Sequence, residues 1–188
     1  MDRERIEHLI LELLRATGAN IGDEGLIDTP RRAAGFLMDR LRFQNISNSE
    51  IAKRFGKVFP VTADGPVIAR GIPIFSLCEH HIALMFDMSV DVAYLPNKKV
   101  LGLSKITRIA DAASRRLQLQ ERLTDDIADI IQQAANPLAV LVRIRGRHSC
   151  IEARGIERKS ITYTEASRGE PEGIVRLREV LRECLPSD

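Results

Sequence analysis

Two short segments, Cys78-Glu79-His80-His81 and His148-Ser149-Cys150, constrain this chain more than anything else in it. They gather three of its four histidines and two of its three cysteines at places far apart in sequence. A thiolate and an imidazole three residues apart, joined by a second thiolate from the distant segment, form a Cys2His set. Such a set leaves the fourth position of a tetrahedral metal open, as a catalytic zinc requires. Two other readings of the same residues stand beside this one. Free cysteine packs as a small hydrophobe and a histidine can be an ordinary satisfied polar side chain, or Cys78 and Cys150 could close a disulfide. The packing reading suits Cys184, which follows the apolar series Ile174, Leu177, Val180 and Leu181 of a final helix, and His8 in the first helix suggests no chemistry. The disulfide reading finds no other mark of an exported chain.

At 188 residues the sequence can bury one core and is short for two. The expectation is a single domain over 1–188 with a helical N-terminal extension at about 1–45. The 28 basic and 26 acidic residues nearly cancel, which leaves no electrostatic footprint for nucleic acid, and aromatic residues are too few for base stacking. The opening MDRERIEHLILELLR is charged throughout and lacks the apolar stretch of a signal peptide. No apolar run approaches the ~20 residues that span a bilayer. A cytoplasmic protein with neither nucleic acid nor membrane as partner is expected.

Apolar residues at helical spacing (Ile6, Leu9, Ile10, Leu13, Leu14) predict a first helix, and Asp28-Thr29-Pro30 predicts a capped start for a second. From Val58 to Val100 the texture is β-rich, with a polar turn at Pro96 to Lys99. Stripes at Leu103, Ile106, Ala110, Ala113 and Leu117, and at Leu123, Ile127, Ile130, Ile131 and Ala134, predict two more helices with a break over Gln118 to Glu121. After the stop at Asn136-Pro137, Leu138 to Val142 passes into alternation. Val142 and Ile144 fall on one face and Arg143, Arg145 and Arg147 on the other, a strand half covered by helices. The same period places His148 and Cys150 with Val142 and Ile144. A strand near Ile161 to Thr164 and a last helix complete an α+β pattern.

Several motifs in register carry a resemblance: Asp28-Thr29-Pro30 with Arg32, Cys78-Glu79-His80-His81, Gly102-Leu103-Ser104-Lys105-Ile106, Gln118-Leu119-Gln120-Glu121-Arg122-Leu123, and His148-x-Cys150 with Arg154-Gly155. Over nearly its whole length the chain resembles GTP cyclohydrolase I. The resemblance implies a tunnelling fold, with an antiparallel sheet, helices on one face, an N-terminal helical pair, and a barrel closed by oligomerisation into a homodecamer of two stacked pentamers with active sites at subunit interfaces. It implies one Zn2+ per subunit on Cys78, His81 and Cys150, activating water for attack at C8 of the guanine of GTP. By the same resemblance His148 protonates the opening ring, His80 serves as acid and base in releasing formate, and Ser104 assists the ribose rearrangement that yields 7,8-dihydroneopterin triphosphate for folate or another pterin pathway. Glu121, with Gln120, matches the guanine-binding residues, and Arg32, Leu103, Lys105, Arg108 and Arg154 match the remaining substrate contacts.

The departures from the family fall in three places. Gly35 stands where the family carries a phosphate-binding lysine, with Arg31 close enough in sequence to compensate in part. Leu84-Met85-Phe86-Asp87 replaces the familiar Pro-Phe and Gly, with one more residue before Tyr94, and Glu157 replaces an arginine. These leave open a paralogue acting on another guanine nucleotide or stopping at a formamide, and a non-catalytic tunnelling-fold protein that binds pterin or purine.

Overall fold

The computed structural model of the chain describes residues 1–62 and 64–183; Cys184 lies outside the described residues. Helix α1 (Arg3–Ala16) starts at Asp2, whose carboxylate accepts the Arg5 amide, and packs on α2 (Thr29–Arg40). Pro30 in the first turn of α2 has the fixed φ that suits a helix start. The expected side-chain cap from Asp28 is not made, because its carboxylate takes the guanidinium groups of Arg31 and Arg32 at 3.4 and 3.1 Å. A third helix, α3 (Asn48–Phe55), follows without a long apolar stripe to announce it. Its signal is Ser47-x-x-Glu50, which forms a capping box. Ile51 and Ala52 of α3 are buried in the main core, so helical structure before the sheet runs past residue 45.

The remaining elements are β1 (Val58–Pro60), β2 (Val67–Cys78), β3 (Ala83–Leu95), β4 (Lys99–Leu101), α4 (Leu103–Ser114), β5 (Leu117–Gln118), α5 (Gln120–Ala135), β6 (Ala139–His148), α6 (Ser149–Glu152), β7 (Thr162–Gly169) and α7 (Pro171–Glu183). The five-stranded sheet has the order β5-β2-β3-β6-β7, and β1 pairs with β4 apart from it. Every neighbour in the large sheet is antiparallel except β5, which pairs in parallel with the last two residues of β2. The sheet is therefore mixed rather than antiparallel throughout. Helix α4 carries the chain back along the sheet before β5 joins the edge, and a helical crossover returns a strand in the same direction.

Helices α3, α4 and α5 cover one face. Val90, Val92 and Tyr94 of β3 and Val140, Val142 and Ile144 of β6 meet Ile106, Ile109, Ile127, Ile130 and Ile131 there. Each such side chain contributes about 1.5 to 3 kcal/mol on burial. The alternate residues Ala93, Leu95, Ala139 and Leu141 point the other way and meet Leu177 and Leu181 of α7. Helices thus lie on both faces, correcting the expectation of one. The strands are apolar on both sides at this end of the sheet, and an apolar face needs a cover. Towards the other end the outer face becomes polar, with Asp91, Arg143, Arg145 and Arg147. Among the described residues no helix is long and apolar enough to cross a membrane.

Candidate active site

The two segments that dominate the sequence meet at one end of the sheet. Cys78 closes β2, His80 and His81 occupy the turn into β3, and β6 ends at His148 in register with Met85. The strand period does not continue to Cys150, which lies on the short α6. The turn of backbone nevertheless brings its sulfur to the other two groups: ligand atoms of Cys78, His81 and Cys150 all lie within 4.8 Å of one another. Cys78 Sγ is 3.9 Å from His81 Nδ1. A tetrahedral zinc with bonds of about 2.3 Å to sulfur and 2.0 Å to nitrogen places those two atoms about 3.5 Å apart, so the donor types suit such an ion and the atoms need only draw in slightly to hold it. Both cysteines are free thiols, which sets the disulfide reading aside. Burial first, and then the Cys78 sulfur, pushes the Cys150 thiol up, while Arg154 pulls it down. Arg154 also donates from Nη1 to His81 Nε2.

Beside this set lies a hydrogen-bonded histidine. Gln120, the first residue of α5, is buried although its surroundings in sequence read as a solvated linker. Its Nε2 donates to the carbonyls of Ile144 and Thr162 and to Thr164 Oγ1, at 3.3, 3.0 and 3.2 Å. Those acceptors turn Oε1 towards His148 Nε2, 2.9 Å away. Nε2 must then be the donor, which leaves the lone pair of a neutral His148 on Nδ1. Gly146 makes room for this arrangement, since a Cβ there would meet Met88 Cγ at 2.9 Å and Gln120 Oε1 at 3.0 Å. Burial lowers the His148 pKa, and the nearby Glu121 carboxylate opposes the shift. Glu121 itself is exposed in the first turn of α5.

Arg122 ties this turn to the metal-ligand turn. It donates from Nη2 to Glu79 Oε2 and to the Leu117 carbonyl, and from Nε to Gln118 Oε1. The sequence holds both Glu79 and Arg122 inside conspicuous motifs, yet nothing in their spacing reveals that they pair. His80 is exposed, with its ring edge-on to His81 at 6.2 Å between centroids.

The other expected site residues are elsewhere. Leu103, Ser104, Lys105 and Arg108 belong to the first turns of α4, where Leu103, Ser104 and Arg108 are exposed. Leu101, just before them, donates its amide to Tyr94 Oη at the far end of β3. From Tyr94 back to Ala83 the strand spans roughly 35 Å at 3.3 Å per residue, so one chain does not bring these residues to the metal set. Arg32 is exposed on α2 and paired with Asp28.

Comparison with known proteins agrees with this constellation. Residues 6–184 match the family described as GTP cyclohydrolase I. The chain is 42% identical over 177 residues to GTP cyclohydrolase 1 of Clostridium beijerinckii, covering 90% of each sequence. It is 45% identical over 176 residues to that of Ruminiclostridium cellulolyticum, again covering 90% of each. Among solved structures, the archaeosine synthase QueF-Like in the apo form shows a slight likeness, with 21% identity, a TM-score of 0.43, and coverage of 58% of this chain and 97% of that one. With nearly its whole length matched and relatives above 40% identity on almost complete alignments, the chain belongs to the GTP cyclohydrolase I family.

Proposed function

We infer that the protein is a zinc-dependent GTP cyclohydrolase I, which hydrolyses the C8 position of GTP, releases formate and rearranges the ribose to give 7,8-dihydroneopterin triphosphate. The observation that carries this reading is the convergence of Cys78, His81 and Cys150 with His148, Gln120 and Glu121 at one sheet end. Thiolate and imidazole donors with a position left over suit zinc, which when bound supplies Lewis acidity and activates water near neutral pH. The names of the relatives point to the same chemistry.

The residues of the chain divide the remaining work. Glu121 accepts hydrogen bonds from the two N–H groups on the Watson-Crick edge of guanine. Gln120 acts through His148, whose imidazole it holds by Nε2, so His148 exchanges protons from Nδ1. To hand a proton to the purine nitrogen as the C8–N bond breaks, His148 must be charged, and the Glu121 carboxylate favours that form against burial. His80, adjacent to a ligand and open to solvent, serves the formamide hydrolysis that releases formate. Arg154 donates to the lone pair of His81 Nε2; with His81 holding an ion through either ring nitrogen that lone pair would no longer be open to it, which would free the guanidinium for an anionic substrate group.

Ser104, Lys105 and Arg108 complete the site from a neighbouring subunit, consistent with a homo-oligomeric tunnelling fold in which the sheets join into a barrel. A second reading, a guanine nucleotide with fewer phosphates as the substrate, draws on Gly35 and on the pairing of Arg32 with Asp28. Incubation of the zinc-loaded protein with GTP, following formate and the pterin chromophore, tests the reading. Both products are expected. Ring-opened formamide alone would indicate a truncated reaction, preference for GMP would support the second reading, and binding without turnover would leave a pterin or purine carrier.

A further inference from the structure

The metal set draws Cys78 from the end of β2, His81 from the turn before β3 and Cys150 from α6 after β6, and something must hold these two backbone segments at a fixed separation. Arg147 spans them. Its Nε and Nη2 donate to the two carboxylate oxygens of Glu152 at 2.8 and 2.5 Å, and its Nη1 donates to Asp87 Oδ2 at 2.8 Å. Its guanidinium lies 4.7 Å from the centre of the Phe86 ring, the residue in register with it on β3. Glu152 is the last residue of α6, the helix that carries Cys150, and Asp87 stands on the strand that leaves the Cys78–His81 turn.

We propose that Arg147 is a positioning residue for the metal, a clamp that sets Cys150 against Cys78 and His81. The proposal rests on the reading that those three residues hold the ion. Planar guanidinium can grip one carboxylate with two parallel bonds and a second with a third N–H, and a lysine ammonium cannot reproduce that fork. The Glu152 side chain is largely shielded from solvent, at 13% exposure, so the two-bonded arm of the grip is not a loose surface pair, whereas the Asp87 arm is open to solvent.

The backbone opposite supports the same assignment. Asp87 has φ +48°, in the left-handed region that non-glycine residues seldom adopt, and it sits where β3 carries one more residue than β6 between the Phe86–Arg147 and Ser89–Arg145 pairs. The bulge aims the Asp87 carboxylate at Arg147. Aspartate is among the side chains that tolerate this region best, and from the bulge its carboxylate, though 62% exposed, reaches Arg147 at 2.8 Å. The fork of Arg147 and one further N–H are committed to Glu152 and Asp87, and its side chain lies on the strand face opposite His148, where it lines a cleft with Gly71, Pro73 and Arg145. Metal–ligand distances in a well-formed site agree with standard values to about 0.2 Å, so a brace that sets the separation of the two ligand-bearing segments governs how long the ion stays.

The test uses zinc-loaded protein and the rate at which zinc passes to excess chromogenic chelator, well below the melting temperature. Removing partners that hydrogen-bond ligands directly weakens metal sites about 10- to 100-fold; Arg147 acts one contact further out, so Arg147→Ala should release zinc faster by about tenfold, the low end of that range. Arg147→Lys should fall between, retaining charge without the fork. Glu152→Gln and Asp87→Asn should each accelerate release, and they carry the test if Arg147→Ala does not fold. A merely structural role would lower the melting temperature and leave release from folded protein unchanged. Wild-type release rates in Arg147→Ala and Glu152→Gln, beside a Cys150→Ala variant that has lost its zinc, overturn the clamp alone. Full zinc in Cys150→Ala overturns the metal reading and the clamp together.

Discussion

The metal end of the sheet and the first turn of α4 are assigned to one reaction but are built in opposite ways. At the metal end nearly every side chain is held by another. Gln120 orients His148, Arg122 joins α5 to Glu79, Ser149 Oγ donates to the Leu84 carbonyl at 2.8 Å, and Arg147 braces α6. At the start of α4, Leu103, Ser104 and Arg108 stand in solvent, and Leu103 is 74% exposed although it is apolar. A site held to tight tolerances needs a second layer of contacts around the reacting groups. The first region has that layer within one chain. The second acquires it only where another surface covers it, and an exposed leucine at the mouth of a helix is consistent with such a covering.

The strongest way to break the comparison is at the metal. Cys150→Ala should lose both the ion and all turnover while keeping the assembly, measured as zinc per chain by mass spectrometry and as formate released from GTP. Full metal content with activity gone would remove Cys150 from the ligand set and with it the claim that this end is complete in one chain. Next in size are the two histidines. His148→Ala and His80→Ala should retain zinc and lose on the order of 10² or more in turnover, the usual scale for acid and base catalysis. Ring-opened formamide should accumulate in the His80 variant.

Much of this end is legible in the sequence. The two ligand segments stand out by composition, and the helix start at α2, the stripes of α4 as far as Ala113 and of α5, and the faces of β6 as far as Ile144 follow from local pattern, because the spacing that defines them lies within one element; Leu117, expected on the α4 stripe, belongs to β5, and the expected break over Gln118 to Glu121 ends at Gln120, where α5 begins. What is illegible depends on contacts between distant residues. Gln120 looks solvated until β6 and β7 supply carbonyls to its amide, and Asp87 looks like an ordinary departure until Arg147 is found opposite it. The position of α7 on the outer face escapes for a similar reason: Ala93, Leu95, Ala139 and Leu141 form a second apolar surface only after β3 and β6 pair.

A subunit-mixing experiment sharpens the comparison directly. His148→Ala damages the metal end, and Lys105→Ala/Arg108→Ala damages the start of α4. If each active site takes one region from each of two subunits, equal co-expression of the two variants should restore roughly a quarter of the sites, since random assembly pairs the two intact halves that often. Activity equal only to the mean of the two separate variants would show that each chain completes its own site, contrary to the span between Tyr94 and Ala83.

The smallest expected effect concerns the substrate tail. On the proposed assignment Gly35 stands where the family would carry a phosphate-binding lysine, and since Arg31 and Arg32 share Asp28, the phosphate-binding cations would be weakened twice. Gly35→Lys is sterically permitted, because a Cβ at this position meets only Arg3 Nη2 at 3.5 Å, an ordinary contact. Replacing glycine inside α2 with lysine also favours the helix, by somewhat less than the about 0.8 to 1 kcal/mol that separates glycine from alanine, so stability should rise slightly. At an exposed site a charged hydrogen bond at the low end of its range, about 1.5 kcal/mol, corresponds to about tenfold in binding. The tail is remote from C8, and the added contact acts equally on ground and transition states, so KM for GTP should fall about tenfold with kcat unchanged. Asp28→Asn should lower KM in the same direction by releasing the two guanidinium groups. If GMP is already the better substrate of the wild-type protein, the triphosphate assignment fails and Gly35 marks a pocket reshaped for a shorter tail, while the metal end keeps its chemistry.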